Sequence, residues 1–103
     1  MIRQGDIWWV ERPDQKARPA LVLTRNEALE RLDWITVAPL TRTIRAIPTE
    51  VRIEAGEGVR VESVATFDNM ASVRRSQLTR RLGELTPGRW HEVCAAVRAA
   101  IAC

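Results

Sequence analysis

Until its last segment, the chain carries its apolar residues in short runs, each stopped by Pro, Gly, Asp, Asn or Thr. This rhythm constrains the fold most, because short β-branched and aromatic runs bury themselves by pairing into a sheet. Ile7-Trp8-Trp9-Val10 follows the turn-like Gly5-Asp6. Ala20-Leu21-Val22-Leu23 follows Pro19 and is apolar throughout, which predicts a buried strand. Trp34 to Leu40 is β-like and runs into Thr41-Arg42-Thr43. Glu50-Val51-Arg52-Ile53-Glu54 alternates, with Val51 and Ile53 facing inward. Gly56-Glu57-Gly58 is a turn, Glu62 to Phe67 a further strand ending at Asp68-Asn69, and Leu78 to Leu85 a last one with Arg80 and Arg81 exposed. Arg12 to Ala17 and Ile44 to Pro48 read as loops, and Asn26 as the cap of a short helical turn through Arg31.

The closing segment changes period. Thr86 suits an N-cap and Pro87 the first helical position. Trp90, Val93, Cys94, Val97 and Ile101 then recur as one helical stripe. Six or so short strands and a terminal helix predict a mainly β fold with a C-terminal helix, its sheet strongly bent or partly closed into a barrel. At 103 residues the chain fits one domain, 1–103.

Several function classes fall away on residue types. Two cysteines and one histidine are too few for an ordinary zinc site, so no metal is expected from such ligands. Cys94 and Cys103 on one helix would stand roughly 13 Å apart, beyond the reach of about 7 Å for a disulfide. No apolar run approaches the roughly 20 residues of a membrane span, and Met1 to Asp6 lead into a Trp pair rather than a signal region, so a cytoplasmic location is expected. Of the 16 basic residues, Lys16 is the sole lysine and the rest are arginine. The guanidinium fork suits phosphate, and a pI near 9.6 favours polyanionic partners.

Several segments, in order, resemble the MazF/PemK toxins. They are Gly5-Asp6-Ile7-Trp8, Arg18-Pro19-Ala20-Leu21-Val22-Leu23, Val37-Ala38-Pro39-Leu40-Thr41, Ile47-Pro48-Thr49-Glu50-Val51, Ser63 through Asn69, and Leu82-Gly83-Glu84-Leu85. The resemblance implies an SH3-like small barrel of the CcdB/MazF/PemK type, a homodimer, and a MazE-like antitoxin as partner. It implies a sequence-specific endoribonuclease that cuts single-stranded RNA (mRNA, tRNA or rRNA) with no cofactor. It also places the family's catalytic arginine on Arg18 and its catalytic threonine on Thr41.

Cleavage without metal uses the substrate's own 2′-hydroxyl, so the protein must stabilise charge on the phosphorane and assist proton transfer. Arg18 can bind phosphate oxygens but is a poor acid or base. Thr41 can donate to a phosphate oxygen and orient it. His91 sits on the predicted helix beside Trp90, and its pKa alone recommends it. RNA contacts are expected from Lys16, Arg42, Thr43 and Arg45, which flank the pair in sequence. Asp68 and Asn69 match a family position in the RNA groove. There Asp68 would accept from a base amino group, or else it caps a turn. Arg74-Arg75 and Arg80-Arg81 suit phosphate contact or a solvated face. Trp8 and Trp9 must point to opposite faces of one strand, leaving one of them accessible for stacking, and Trp34 fits either role.

The loop from Glu11 to Ala17 is shorter than the Gly-rich loop of many relatives, so a relative's base preference does not transfer. Thr66 stands where relatives carry a polar or basic groove residue. Two other readings share the fold: a CcdB-like gyrase poison, which the Trp-free end Ala99 to Cys103 disfavours, and a non-catalytic RNA-binding module.

Overall fold

A computed structural model describes residues 1–103. Seven strands form one antiparallel system: β1 (Asp6–Val10), β2 (Arg18–Val22), β3 (Trp34–Thr41), β4 (Glu50–Ile53), β5 (Ser63–Thr66), β6 (Ala71–Arg74) and β7 (Leu78–Glu84). Their order is β4-β5-β3-β2-β1-β7, with β6 also on β3. The eight-residue β3 is the hinge of the sheet. Its first half pairs with β6, from Trp34–Arg74 to Val37–Ala71, and its end pairs with β5 at Leu40–Ala65 and Thr41–Val64. One long strand therefore serves two partners on the same edge, and the sheet bends between them. Irregularities in the β1–β7 register at Ile7/Trp8 and Trp9/Val10 add further twist.

The bend brings the sheet's ends together. A Cβ on Gly83 of β7 would lie 2.6 Å from the Glu57 carbonyl oxygen and 2.6 Å from the Gly58 Cα, in the loop after β4. Only a residue without a side chain allows that approach. The result is the mainly β, partly closed architecture expected, with one strand more than the sequence rhythm showed. The extra strand, β6, is Ala71-Ser72-Val73-Arg74, in which Val73 alone is fully buried.

The uninterrupted apolar run in β2 is explained by burial on both faces. Leu21 joins Ile7, Leu40, Ile53 and Phe67 in one core, while Ala20 and Val22 join Val10, Ile35, Val37 and Val73 in another. Phe67 is 1% exposed at the centre of the first core, where truncation to Ala costs about 3–5 kcal/mol.

Two helical expectations are corrected. The short helix α1 covers Asn26–Leu29, with Arg25 rather than Asn26 at the cap position. The Asn26 side chain instead accepts from the Gln4 backbone N–H at 2.9 Å, tying α1 to the N-terminus. The C-terminal helix α2 spans Trp90–Ile101, so Thr86 and Pro87 precede it and do not cap it. The Thr86 N–H is directed instead to the Glu57 carboxylate, 2.6 Å away. Val93 and Ala96 are the buried positions of α2, half-buried Trp90, Val97 and Ala100 pack beside them, and Ile101 is exposed.

Candidate active site

Proline at position 19 fixes the start of β2 and keeps Arg18 extended. Arg18 pairs with Val10, and Pro19 with Trp9. The β2–β3 register runs Val22–Val37, Leu21–Ala38, Ala20–Pro39. Carried on to the strand ends, it sets Arg18 opposite Thr41. Both residues line one open groove of about 580 Å³.

The floor of the groove is a cross-strand row. Arg80 of β7 pairs with Trp9 of β1, which pairs with Pro19 of β2. Lys16, Arg42 and Thr43 lie along the rim, and the segment Gly58–Val61 forms the facing wall. The two tryptophans of β1 divide as the strand period requires. Trp8 packs on the second core and donates through Nε1 to Asp6 Oδ2 at 3.1 Å, while Trp9 lines the groove.

The charge pattern sets this surface apart. Lys16, Arg18, Arg42, Arg60 and Arg80 line the groove, and no aspartate, glutamate, histidine or cysteine lines it. None of those five cations has a carboxylate within salt-bridge distance, whereas Arg52, Arg74, Arg81 and Arg89 elsewhere are all paired. Five unpaired cations converging on one groove form a site for a polyanion. The Thr41 hydroxyl oxygen accepts from the Thr43 N–H at 3.2 Å, which fixes its rotamer and leaves its proton free to donate.

The remaining sequence candidates lie apart from the groove. Asp68 and Asn69 sit on a single 3-10 turn, Phe67–Asn69, where Asp68 Oδ2 accepts from the Thr49 hydroxyl at 2.7 Å. Arg45 lies in the β3–β4 loop, and its backbone N–H and that of Ala46 both donate to Glu50 Oε1. His91 is exposed on α2, with Nδ1 3.0 Å from the Gly88 carbonyl oxygen. A smaller cavity lies under the 11–17 loop, between Arg12, Gln15 and an apolar floor of Val10, Val37 and Val73, and it shares Lys16 and Arg18 with the groove.

Sequence reasoning did not single out Arg60 or Val59, and it gave Arg80 two readings. Their contribution depends on the closing of the sheet, which brings the 56–62 loop and β7 against the β2 end.

Bent antiparallel sheet, C-terminal helix and acid-free cationic groove together define a small mainly β domain built around a polyanion-binding face. Residues 3–101 match the PemK-like, MazF-like toxins of type II toxin-antitoxin systems, and the chain belongs to that family. It is 37% identical over 103 residues to the probable endoribonuclease MazF2 of Mycobacterium tuberculosis, covering 99% of this chain and 100% of that protein. Among solved structures, the Mycobacterium tuberculosis toxin MazF-mt6 superposes with a TM-score of 0.88 at 33% identity, over 94% of this chain and 96% of that one. A MazE-MazF structure from Deinococcus radiodurans gives 0.80 at 25% identity, over 98% and 96%. The family assignment does not favour the CcdB-like reading.

Proposed function

We propose that this chain is the toxin of a type II toxin–antitoxin pair and acts as a sequence-specific endoribonuclease on single-stranded RNA, arresting translation and growth. The observation that carries this reading is the groove itself: five unpaired cations, no acidic residue, and Arg18 opposite Thr41. A phosphodiester backbone is the ligand such a surface suits, and Trp9 on the floor offers a face on which a base can stack.

In the proposed reaction the 2′ oxygen attacks the neighbouring phosphorus. The bond to the 5′ oxygen breaks, leaving a 2′,3′-cyclic phosphate (or, after hydrolysis, a 3′-phosphate) and a 5′-hydroxyl. The proton lost at the 2′ oxygen is balanced by the one gained at the 5′ oxygen. Arg18 holds two phosphoryl oxygens and neutralises charge that grows on the phosphorane. Thr41 donates to one of those oxygens and fixes its orientation. With no carboxylate or imidazole lining the groove, these residues act by charge stabilisation and alignment rather than as a matched acid–base pair. Lys16, Arg42 and Thr43 hold the flanking nucleotides. Asp68, Asn69 and Arg45 contact RNA in this reading only where the strand extends beyond the groove.

The same proposal covers the partners and the setting. Residues 1–103 act as one domain, two copies form a homodimer, and a MazE-like antitoxin blocks the groove. No helix is long and apolar enough to cross a membrane, and in this reading the protein acts on RNA in the cytoplasm.

One assay tests the reading. Purified protein is incubated with a long RNA in EDTA and the new 5′-hydroxyl ends are mapped. Cleavage at a recurring short motif is expected. Intact RNA overturns the ribonuclease, in favour of a gyrase poison if gyrase is inhibited, or of a binding module if RNA is bound uncut.

A further inference from the structure

The wall facing Arg18 is a loop, and a loop needs something to hold it. Gly58, Val59, Arg60 and Val61 line the groove, and just before them stands Glu57, a carboxylate only 6% exposed. Its Oε1 accepts from the Glu54 N–H at 2.8 Å and from Arg89 Nη1 at 2.7 Å. Its Oε2 accepts from the Thr86 N–H at 2.6 Å. Arg89 in turn donates through Nη2 to the Arg52 carbonyl at 2.7 Å and grips both oxygens of Glu92 on α2 at 2.8 Å. One partly buried ion pair therefore ties the base of the loop to β4, to the β7–α2 connection and to the helix. The Gly58–Gly83 backbone approach pins the loop from the other side.

What this clamp presents is Arg60. It is exposed, has no carboxylate partner, and lies on the wall across from the Arg18–Thr41 strand ends. Nothing else in the structure uses its charge. We infer that Arg60 binds a backbone phosphate of the RNA on the wall facing Arg18, and that the Glu57–Arg89 ion pair is the positioning element that holds Arg60 there. The inference rests on the groove being the RNA site. It assigns Arg60 to affinity across all sequences, since a phosphate contact carries no base information.

The test is a double-mutant cycle on binding, kept separate from cleavage. The probe is a fluorescein-labelled, mixed-sequence single-stranded DNA oligonucleotide, which has the same phosphates but no 2′-hydroxyl to attack. Affinity is measured by anisotropy over a range of salt. Arg60→Ala is expected to weaken binding about tenfold and to lower the salt slope by about 0.7, the share of one single-strand phosphate contact. Glu57→Gln keeps the shape and removes the charge. It is expected to weaken binding severalfold, and the double variant to bind no worse than Arg60→Ala, because a displaced Arg60 has little left to lose. Where Glu57→Gln does not fold, Arg89→Lys, which keeps the charge but gives up the fork, takes its place. Wild-type binding by Arg60→Ala overturns the phosphate contact. Losses that multiply in the double variant overturn the positioning role. Protein that binds the oligonucleotide in this pattern yet leaves RNA uncut refutes the ribonuclease and leaves this inference standing; protein that does not bind it refutes the inference.

Discussion

Arg18 and Thr41 stand opposite each other at the ends of β2 and β3, two register steps past the Ala20–Pro39 pair. Residues paired in this way have Cβ atoms about 5 Å apart. A guanidinium fork and a hydroxyl held at that spacing are close enough to serve one phosphate group in the proposed reaction.

Separate removal of either group is expected to lower the cleavage rate by about 10²–10³-fold, the usual effect of deleting one donor to a developing oxyanion. Arg18→Ala and Thr41→Ala are the variants, with cleavage rate in EDTA and growth arrest as readouts. Arg18 is exposed and Thr41 half-buried, so circular dichroism and melting temperature should stay close to wild type. Two folded variants that cut RNA at the wild-type rate would remove both residues from the mechanism.

Acid should loosen the α2 clamp. Burial by itself pushes the Glu57 carboxyl up, but hydrogen bonds from the Glu54 and Thr86 backbones and the Arg89 charge outweigh it and hold the group below its ordinary 4.5. Glu92 is likewise held low, chiefly by its hydrogen bonds from Arg89. A depressed carboxylate stabilises the fold above the unfolded-state value, and that contribution is lost as pH falls through the folded-state value. The melting temperature should therefore decline as pH drops below 4.5, and Glu57→Gln, which has no such proton to take up, should show a shallower decline. Parallel curves for the two proteins would contradict this.

Gly83→Ala is expected to destabilise the protein by about 1–3 kcal/mol, since its methyl would collide with the Glu57 carbonyl and the Gly58 backbone, which have little room to yield. Chemical denaturation measures the difference. Gly56→Ala is the control. It meets nothing within 4 Å, and its cost is confined to the positive φ, about 1 kcal/mol.

The strands that alternate or run apolar were legible in the sequence because side-chain period and burial coincide there, as in Val51 and Ile53. β6 was not, because Val73 is its lone fully buried residue and Ser72 and Arg74 face solvent. The start of α2 was misplaced for a different reason. Thr86 is a good cap by type, but its carbonyl closes a turn with the Arg89 N–H before the helix begins, and its own N–H is held by a glutamate 29 positions earlier, a contact no local pattern contains. Trp34 is resolved as a surface residue, half exposed with the Arg74 guanidinium 4.4 Å over its ring and Asp33 on the same arginine. The near wall of the groove follows from adjacent residues, Lys16 to Pro19 and Leu40 to Thr43. The far wall with Arg60, and its meeting with Arg80 of the floor, exist only once the sheet has closed, and the Asp68 carboxylate turns instead to Thr49.

The absence of any acid in the groove also bears on the free protein. Five like charges without partners repel one another, and folding is what forces them together. The empty fold thus carries a built-in electrostatic tension that dissolved salt relieves by screening and a bound polyanion relieves by neutralisation. By linkage, whatever fills the groove raises the thermal stability of the whole chain, so occupancy of the site and persistence of the protein rise together.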